Sequence, residues 1–308
     1  MLHEEPSDRE PKPIVLVGAT GFIGSRVLRT LTSSPMVHPT VLTRSDSSPW
    51  PTSGIKQVRA ELDDVDSLAR AVEGAHCVIN AASYVGSDES ISIAVNQDGV
   101  ANLAKACRMA GVLGLVHVST TAVYGSGPHR GEHEDELPLR PESMTSRKRA
   151  AGDQAVLDTG GCSVRPALVV GHGDKWVGPG IEQMIRTLRG TLDHGRAKLS
   201  IIEVGDLGAA TAHLAMRASP FRGALHAAYS TPLSLSDLLH RLSPALGATA
   251  SERSFTLVEA LPLLETVGFT QHQVRMIAQD HWYASGKLWQ EAGRSEADRG
   301  DSWSVLVP

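Results

Sequence analysis

Gly18, Gly21 and Gly24 stand at three-residue intervals between a β-branched apolar run, IVLV, and a segment whose apolar residues Ile23, Val27, Leu28 and Leu31 recur at helical spacing. The order is strand, tight turn, helix. Glycines in such a turn permit close backbone approach to a diphosphate, and the start of the helix aims N–H groups and the positive end of its dipole at the same place. The stretch therefore predicts a dinucleotide-binding turn, with Gly18, Thr20, Gly21, Phe22, Ile23 and Gly24 around the phosphates.

The same alternation continues. PTVLTR reads as a strand, DSLARAVEG as a helix, HCVINAAS as a strand, ISIAVNQDGVANLAKACRMAG as a helix, GLVHVST as a strand and CSVRPALVVG as another buried strand. Strands interleaved with helices predict βαβ units and hence an α/β fold, a Rossmann-type doubly wound parallel sheet. Beyond residue 172 helical patterns dominate, near 178–190, 206–218, 234–246 and 257–267. They predict a smaller, mostly helical C-terminal part that binds substrate. The expected organisation is a disordered leader at 1–12, a nucleotide-binding domain at 13–171 completed by about 201–230, and a substrate-binding part at 172–200 and 231–308.

Composition narrows the function. The chain has 308 residues, 41% of them hydrophobic, and no run of about 18 apolar residues that would predict a membrane span. The acidic, Pro-containing start is neither a signal nor a transit peptide, so the cytoplasm is the expected location. A net charge of −5 without a basic stripe argues against nucleic acid and for a small-molecule substrate; the oligomeric state is left open. Cys77, Cys107 and Cys162 lack metal spacing and read as small core residues. His129 and His133, four apart in HRGEHEDE, share no fixed face across Gly131 and read as members of a solvated acidic loop. No metal is expected.

The end of the second strand decides which dinucleotide. A carboxylate there would accept from an adenosine ribose, whereas an arginine would clamp a 2′-phosphate. The sequence offers Thr43 and Arg44 with no acid beside them, and then Ser45, which favours NADP(H), with NAD(H) as the second possibility. Glu61 and Leu62 are expected to border the adenine. Ala81, Ala82 and Ser83 are expected to run under the pyrophosphate and ribose.

Taken with VSTTAVYG at 118–125, RPALVVGHGD, IIEVGDLGAATAHLA and ASGKLWQEAG, these stretches resemble the extended short-chain dehydrogenase/reductase family over most of the chain. The resemblance implies a catalytic Ser or Thr, plus Tyr and Lys as Y-x-x-x-K on one helix face. Thr120 matches the hydroxyl and Lys148 the lysine, which would also bind cofactor ribose; Pro166 is expected near the cofactor. Met144 stands where the tyrosine belongs, and Arg147 replaces the serine usual before the lysine. The alignment rests on Pro138, Pro141, Tyr124 and the four-residue spacing.

Methionine has no acidic proton. General acid catalysis is worth about 10²–10⁴ in rate, or roughly 3–5 kcal/mol, against about 7–11 kcal/mol for proximity. Carbonyl reduction therefore survives the loss better than epimerisation or dehydration of a sugar nucleotide, which must first deprotonate an unactivated alcohol. Tyr84, Thr120 through water, or a group on the substrate could supply the proton. The last is preferred: a phenol beside the carbonyl stabilises the developing charge, as in the angucyclinone-type polyketides reduced by antibiotic-tailoring members of the family. The rival expectation is a non-catalytic NADP(H)-binding sensor or regulator.

Overall fold

The computed structural model describes residues 10–44, 55–251 and 253–296. Chain contacts divide the protein into two compact units. The first comprises 1–118, 151–163 and 208–223, the second 119–150, 164–207 and 224–308.

The first unit opens with β1 (Lys12–Val17), α1 (Gly24–Ser33), β2 (Val37–Thr43), β3 (Lys56–Arg59), α2 (Val65–Val72) and β4 (Cys77–Asn80). Next come α3 (Glu89–Ser92), α4 (Gly99–Met109) and β5 (Gly114–Val118), with one π-helical segment, Ile93–Asp98, between the two helices. β1 pairs in parallel with β2 and β4, β2 with β3, and β4 with β5. Parallel strands covered on both faces need apolar residues throughout, which is why β4 (CVIN) is buried at every position. α1 turns Val27, Leu28 and Leu31 inward, as their spacing predicts. α2 starts at Asp64, whose carboxylate accepts the Ser67 N–H at 2.9 Å, and buries Leu68 and Val72. Val15, Val78, Leu103 and Val156 join them in one core, where each fully buried aliphatic side chain contributes about 1.5–3 kcal/mol.

Two further strands complete a seven-stranded sheet: β7 (Cys162–Pro166), preceded in the chain by β6 (His129–Glu132), and the strand Gly223–Ala227. The order is Gly223–Ala227, β7, β5, β4, β1, β2, β3. Strand order reverses between β1 and β4, the switch point where doubly wound sheets bind ligands beyond the carboxyl ends of their strands.

The second unit holds the start of α5 (Met144–Asp158), then α6 (Val177–Leu188) and the start of α7 (Val204–Met216). Helices Leu235–Leu242, Pro244–Ser251, Leu257–Glu265, Gln271–Ala278 and Gly286–Glu291 follow. Its main core packs Ile181, Ile185, Leu188, Leu199, Leu235, Leu239 and Leu264. Helices Val177–Leu188, Val204–Met216, Leu235–Leu242 and Leu257–Glu265 fall near the predicted positions; helices Gln271–Ala278 and Gly286–Glu291, and a four-stranded sheet of Leu233–Ser234, Lys198–Leu199, His281–Tyr283 and β6, were not anticipated. The strands of that sheet run two to four residues, too short to show a period.

Candidate functional site

The turn between β1 and α1 is shaped by what its glycines exclude. Gly18 has φ +83°, and a Cβ there would lie 2.5 Å from the Ala82 nitrogen. A Cβ on Gly24 would lie 2.1 Å from the Gly18 carbonyl oxygen. Gly21 meets only that oxygen, at 3.2 Å, and its N–H donates to it at 3.0 Å. Gly18 and Gly24 thus let the chain pack on itself, whereas Gly21 keeps space clear on the open side. No side chain caps α1; the Ser25 and Arg26 N–H groups donate to the Gly21 and Ile23 carbonyls, each at 2.9 Å.

The space is a cavity of about 430 Å³ in the first unit, lined by Gly18, Thr20, Gly21, Leu42, Thr43, Arg44, Ala60, Leu62, Ala81, Ala82, Ser83, Tyr84, Ile91 and Val95 among others. The structure thus gathers most of the predicted nucleotide residues. Phe22 and Ile23 are half-buried on the turn itself, and Pro166 is the buried last residue of β7. Glu61 lies outside the lining, in a shallow depression with Arg59, Asp63 and Ser67, 3.7 Å from the Arg59 guanidinium. Ser45 falls outside the described residues.

Asn80 orders the strand end beneath the cavity: its Oδ1 accepts the Ala82 N–H at 3.1 Å and its Nδ2 meets His117 Nδ1 at 3.2 Å. The loop that follows is held from the π-helical segment, a residue pair that sequence reasoning missed. Asn96, 3% exposed, accepts the Tyr84 N–H at 2.9 Å and donates to the Tyr84 carbonyl at 2.7 Å. A single asparagine inside a helical pattern carries no signal of such a clamp. The Tyr84 hydroxyl accepts the Asp88 N–H at 3.2 Å and packs on Gly86, within its own loop.

In the second unit Thr120 follows β5 and caps a short 3₁₀ turn, Thr121–Tyr124, its Oγ1 accepting the Ala122 N–H at 3.2 Å. That bond orients the hydroxyl and leaves its proton available for donation. Met144 and Lys148 lie half-buried in the first turns of α5.

The expectation for His129 is corrected. His133 is exposed, but His129 is only 6% exposed: pairing of β6 with His281–Tyr283 turns it into an aromatic cluster, its ring 5.3 Å from those of His281 and Tyr283. Beside it the Tyr124 hydroxyl receives Arg165 Nη1 at 2.6 Å and lies 2.8 Å from His226 Nε2. His226 Nδ1 faces the Ala284 carbonyl at 3.1 Å, which can only accept, so Nδ1 carries the proton and Nε2 accepts from Tyr124. Burial pushes His226 and His281 each down to about 4. Among the described residues, no group of three or more His, Cys, Asp or Glu could hold a metal ion, and all three cysteines are free and buried.

Residues 14–224 match the NAD dependent epimerase/dehydratase family. The chain belongs to that family. One relative within reach of its full length is 2-alkyl-3-oxoalkanoate reductase of Stenotrophomonas maltophilia (strain K279a), 27% identical over 88% of this chain and 91% of that protein. dTDP-glucose 4,6-dehydratase of Streptomyces griseus is 35% identical, over 47% of this chain and 48% of the other. Among solved structures, Bordetella bronchiseptica WbmG in complex with NAD and UDP has a TM-score of 0.71 at 19% identity, covering 95% of this chain and 93% of that one. The UDP-N-acetylglucosamine 4-epimerase of Bacillus cereus has a TM-score of 0.69 at 17% identity, covering 96% and 95%. At such identities the structures share the fold. Among the described residues, no helix is long and apolar enough to cross a membrane.

Proposed function

We propose that this family member is an NADPH-dependent ketoreductase whose substrate carries its own proton donor beside the carbonyl. The residues present fit a dinucleotide. The cavity that Gly21 keeps open, the start of α1 without a side-chain cap and the Arg44 side chain at the end of β2 provide for diphosphate and 2′-phosphate. Gly18, Thr20, Gly21, Ala81, Ala82 and Ser83 would hold the phosphates and ribose, and Leu62 the adenine. Arg44, which lines the cavity at the end of β2, supports NADP(H) over NAD(H).

Bound NADPH supplies the hydride that reduces the carbonyl carbon. The protein's share is to hold the carbonyl and settle charge on its oxygen, through the Thr120 hydroxyl and a cation on α5, the place the resemblance gives to Lys148. The observation that carries the reading is Met144: with a thioether at the acid's position, the reaction least impaired is one whose substrate brings its own proton. A hydroxylated aromatic polyketide or quinone, the class handled by the simocyclinone 7-ketoreductase and similar tailoring enzymes, meets that condition; the oxoalkanoate in the name of the Stenotrophomonas relative is a carboxylate at neutral pH and brings no proton. Sugar-nucleotide dehydration or epimerisation, the activities named for other relatives, would need the proton transfer that Met144 cannot make.

The test is NADPH oxidation with a ketone bearing an adjacent phenol and with its methyl ether. The phenol should turn over at least about 10²-fold faster, the lower range for a lost general acid. Equal rates would refute substrate-assisted protonation and return the role to a protein group such as Tyr84.

A further inference from the structure

Ser126 stands between two glycines with left-handed φ, +90° at Gly125 and +70° at Gly127. A Cβ on Gly125 would lie 2.6 Å from the Arg140 carbonyl oxygen and 3.1 Å from Glu142 Oε1, so bare backbone lets residues 140–142 close on the end of the Thr121–Tyr124 turn. The Arg140 N–H donates to the Val123 carbonyl at 2.9 Å. Glu142 then fastens the two segments: its Oε1 accepts the Ser126 N–H at 2.9 Å and its Oε2 accepts the Ser126 hydroxyl at 2.5 Å.

These bonds, the hydroxyl's first, hold the Glu142 carboxyl below the usual carboxylate range, so it is ionised and only accepts. Ser126 has one hydroxyl proton and gives it to Glu142. His272 Nδ1, 2.8 Å from the same Oγ and 3.5 Å from Glu142 Oε2, therefore carries a hydrogen and donates it to Ser126. Ser126 is 4% exposed and the His272 side chain 16%, which limits competition from water.

The clasp gathers three segments of the second unit. Thr120 opens the turn that ends at Gly125, Glu142 precedes Met144 by two residues, and His272 sits in the first turn of the helix Gln271–Ala278. Arg147 Nη1 returns from α5 to the Glu142 carbonyl at 2.6 Å, which couples the helix entry to the carboxylate. On the other side of Thr120 the Ser119 carbonyl accepts from Arg149 Nη2 at 2.8 Å, so α5 is held at two points along the Thr120 segment.

We infer that Glu142 is a positioning residue for carbonyl reduction: through Ser126 and His272 its carboxylate sets the gap between the Thr120 hydroxyl and the start of α5, where Met144 occupies the acid's position. The inference rests on the ketoreductase reading for the roles of Thr120 and Met144, and on the geometry of the clasp for the rest. Glu142 acts through the backbone it holds, and a displacement of about 1 Å at reacting groups costs about 10² in rate.

The order of protons gives the clasp a signature. Glutamine at 142 satisfies Ser126 only in reverse, with Oε1 accepting the N–H, Nε2 donating to Oγ, and the hydroxyl turning to a bare His272 Nδ1. That arrangement holds while the imidazole is neutral and opens when it takes up a second proton. In the parent the same proton leaves the Nδ1–H in place and sets a cation beside Glu142. His281 also faces His272, and burial pushes that ring down to about 4, so it stays neutral throughout the test. Its neighbour His129, 5.3 Å away, is lowered by burial as well.

The experiment compares Glu142→Ala, Glu142→Gln, and Glu142→Gln combined with His272→Asn, in the full chain. It reads kcat and KM on the phenolic ketone from about pH 8 to about pH 5, and the NADPH dissociation constant by fluorescence titration. Glu142→Ala should lower kcat at least about tenfold, toward the loss of about 10² for a displaced group, while KM and NADPH affinity stay within about threefold. Glu142→Gln should recover much of that loss at about pH 8 and forfeit it as the pH falls, through an acid limb that the parent and the double variant lack. A merely structural clasp would lower Tm and leave kcat and its pH profile alone. Should Glu142→Ala fail to fold, the Glu142→Gln profile decides alone. An unchanged kcat in Glu142→Ala, a glutamine variant without the limb, or a limb that survives His272→Asn overturns the inference. A parent that reduces no carbonyl overturns the ketoreductase reading as well, whereas an active parent with indifferent Glu142 variants overturns the inference alone.

Discussion

Alanine at Gly24 and alanine at Gly21 should fail in different ways, although both glycines belong to one turn. The Gly24 methyl would lie 2.1 Å from the Gly18 oxygen and 2.8 Å from its carbonyl carbon, both backbone atoms, so the turn itself must move. Overpacking of this kind costs about 1–3 kcal/mol, and a chain of this size loses about 2–4 °C in Tm per kcal/mol, so Tm should fall by about 2–12 °C. The Gly21 methyl meets a single atom at 3.2 Å and no left-handed φ, so stability should stay within about 0.5 kcal/mol. It would nevertheless stand in the cavity that Gly21 lines, displacing a charged phosphate from hydrogen bonds worth about 1.5–3 kcal/mol, which is roughly a 10- to 150-fold rise in the NADPH dissociation constant. Thermal melts and fluorescence titrations on both variants separate the two effects. Unchanged NADPH affinity in Gly21→Ala, or a Tm loss equal to that of Gly24→Ala, would refute the division of labour.

Arg44→Ala should erase most of the preference for NADP(H) over NAD(H), weakening NADPH at least about tenfold while leaving NADH nearly unchanged; equal affinities in the parent protein would remove the premise. Asn96→Ala should strip the Tyr84 peptide of both partners, cost about 1–3 kcal/mol in urea unfolding and weaken nucleotide binding, and a neutral result would show that the loop holds itself. His226 and His281 have folded values of about 4, below their ordinary 6.5, so their neutral forms stabilise the fold fully above pH 6.5 and progressively less as the pH falls. Urea unfolding should lose on the order of 2 kcal/mol for each between pH 7 and 5, and His226→Gln should flatten that slope; a pH-independent parent would contradict the buried neutral state. Met144→Ala should alter KM modestly and keep appreciable turnover, whereas a loss of about 10²-fold would make Met144 part of the chemistry.

The glycine turn and the alternation of strands and helices were legible because each rests on local rules: glycine where a side chain would collide, period two or 3.6 elsewhere. What escaped depends on partners distant in the chain. His129 looks solvated among the acids of HRGEHEDE and becomes buried only because β6 pairs with His281–Tyr283, some 150 residues on. Glu61 follows the strand end as expected, yet lies in a neighbouring depression and not in the cavity lining.

The seven-stranded sheet takes its last two members, β7 and Gly223–Ala227, from far along the chain, and the first unit is finished only by residues 208–223. On the ribosome, the outer edge of β7 must therefore wait for some sixty more residues, several seconds at about 5–20 residues per second. Throughout that interval the β7 edge offers unpaired N–H and C=O groups to any other nascent chain. Chains truncated before residue 223 should be insoluble, and the yield of full-length protein should rise less when synthesis is slowed by low temperature than when a chaperone that shields strand edges is supplied.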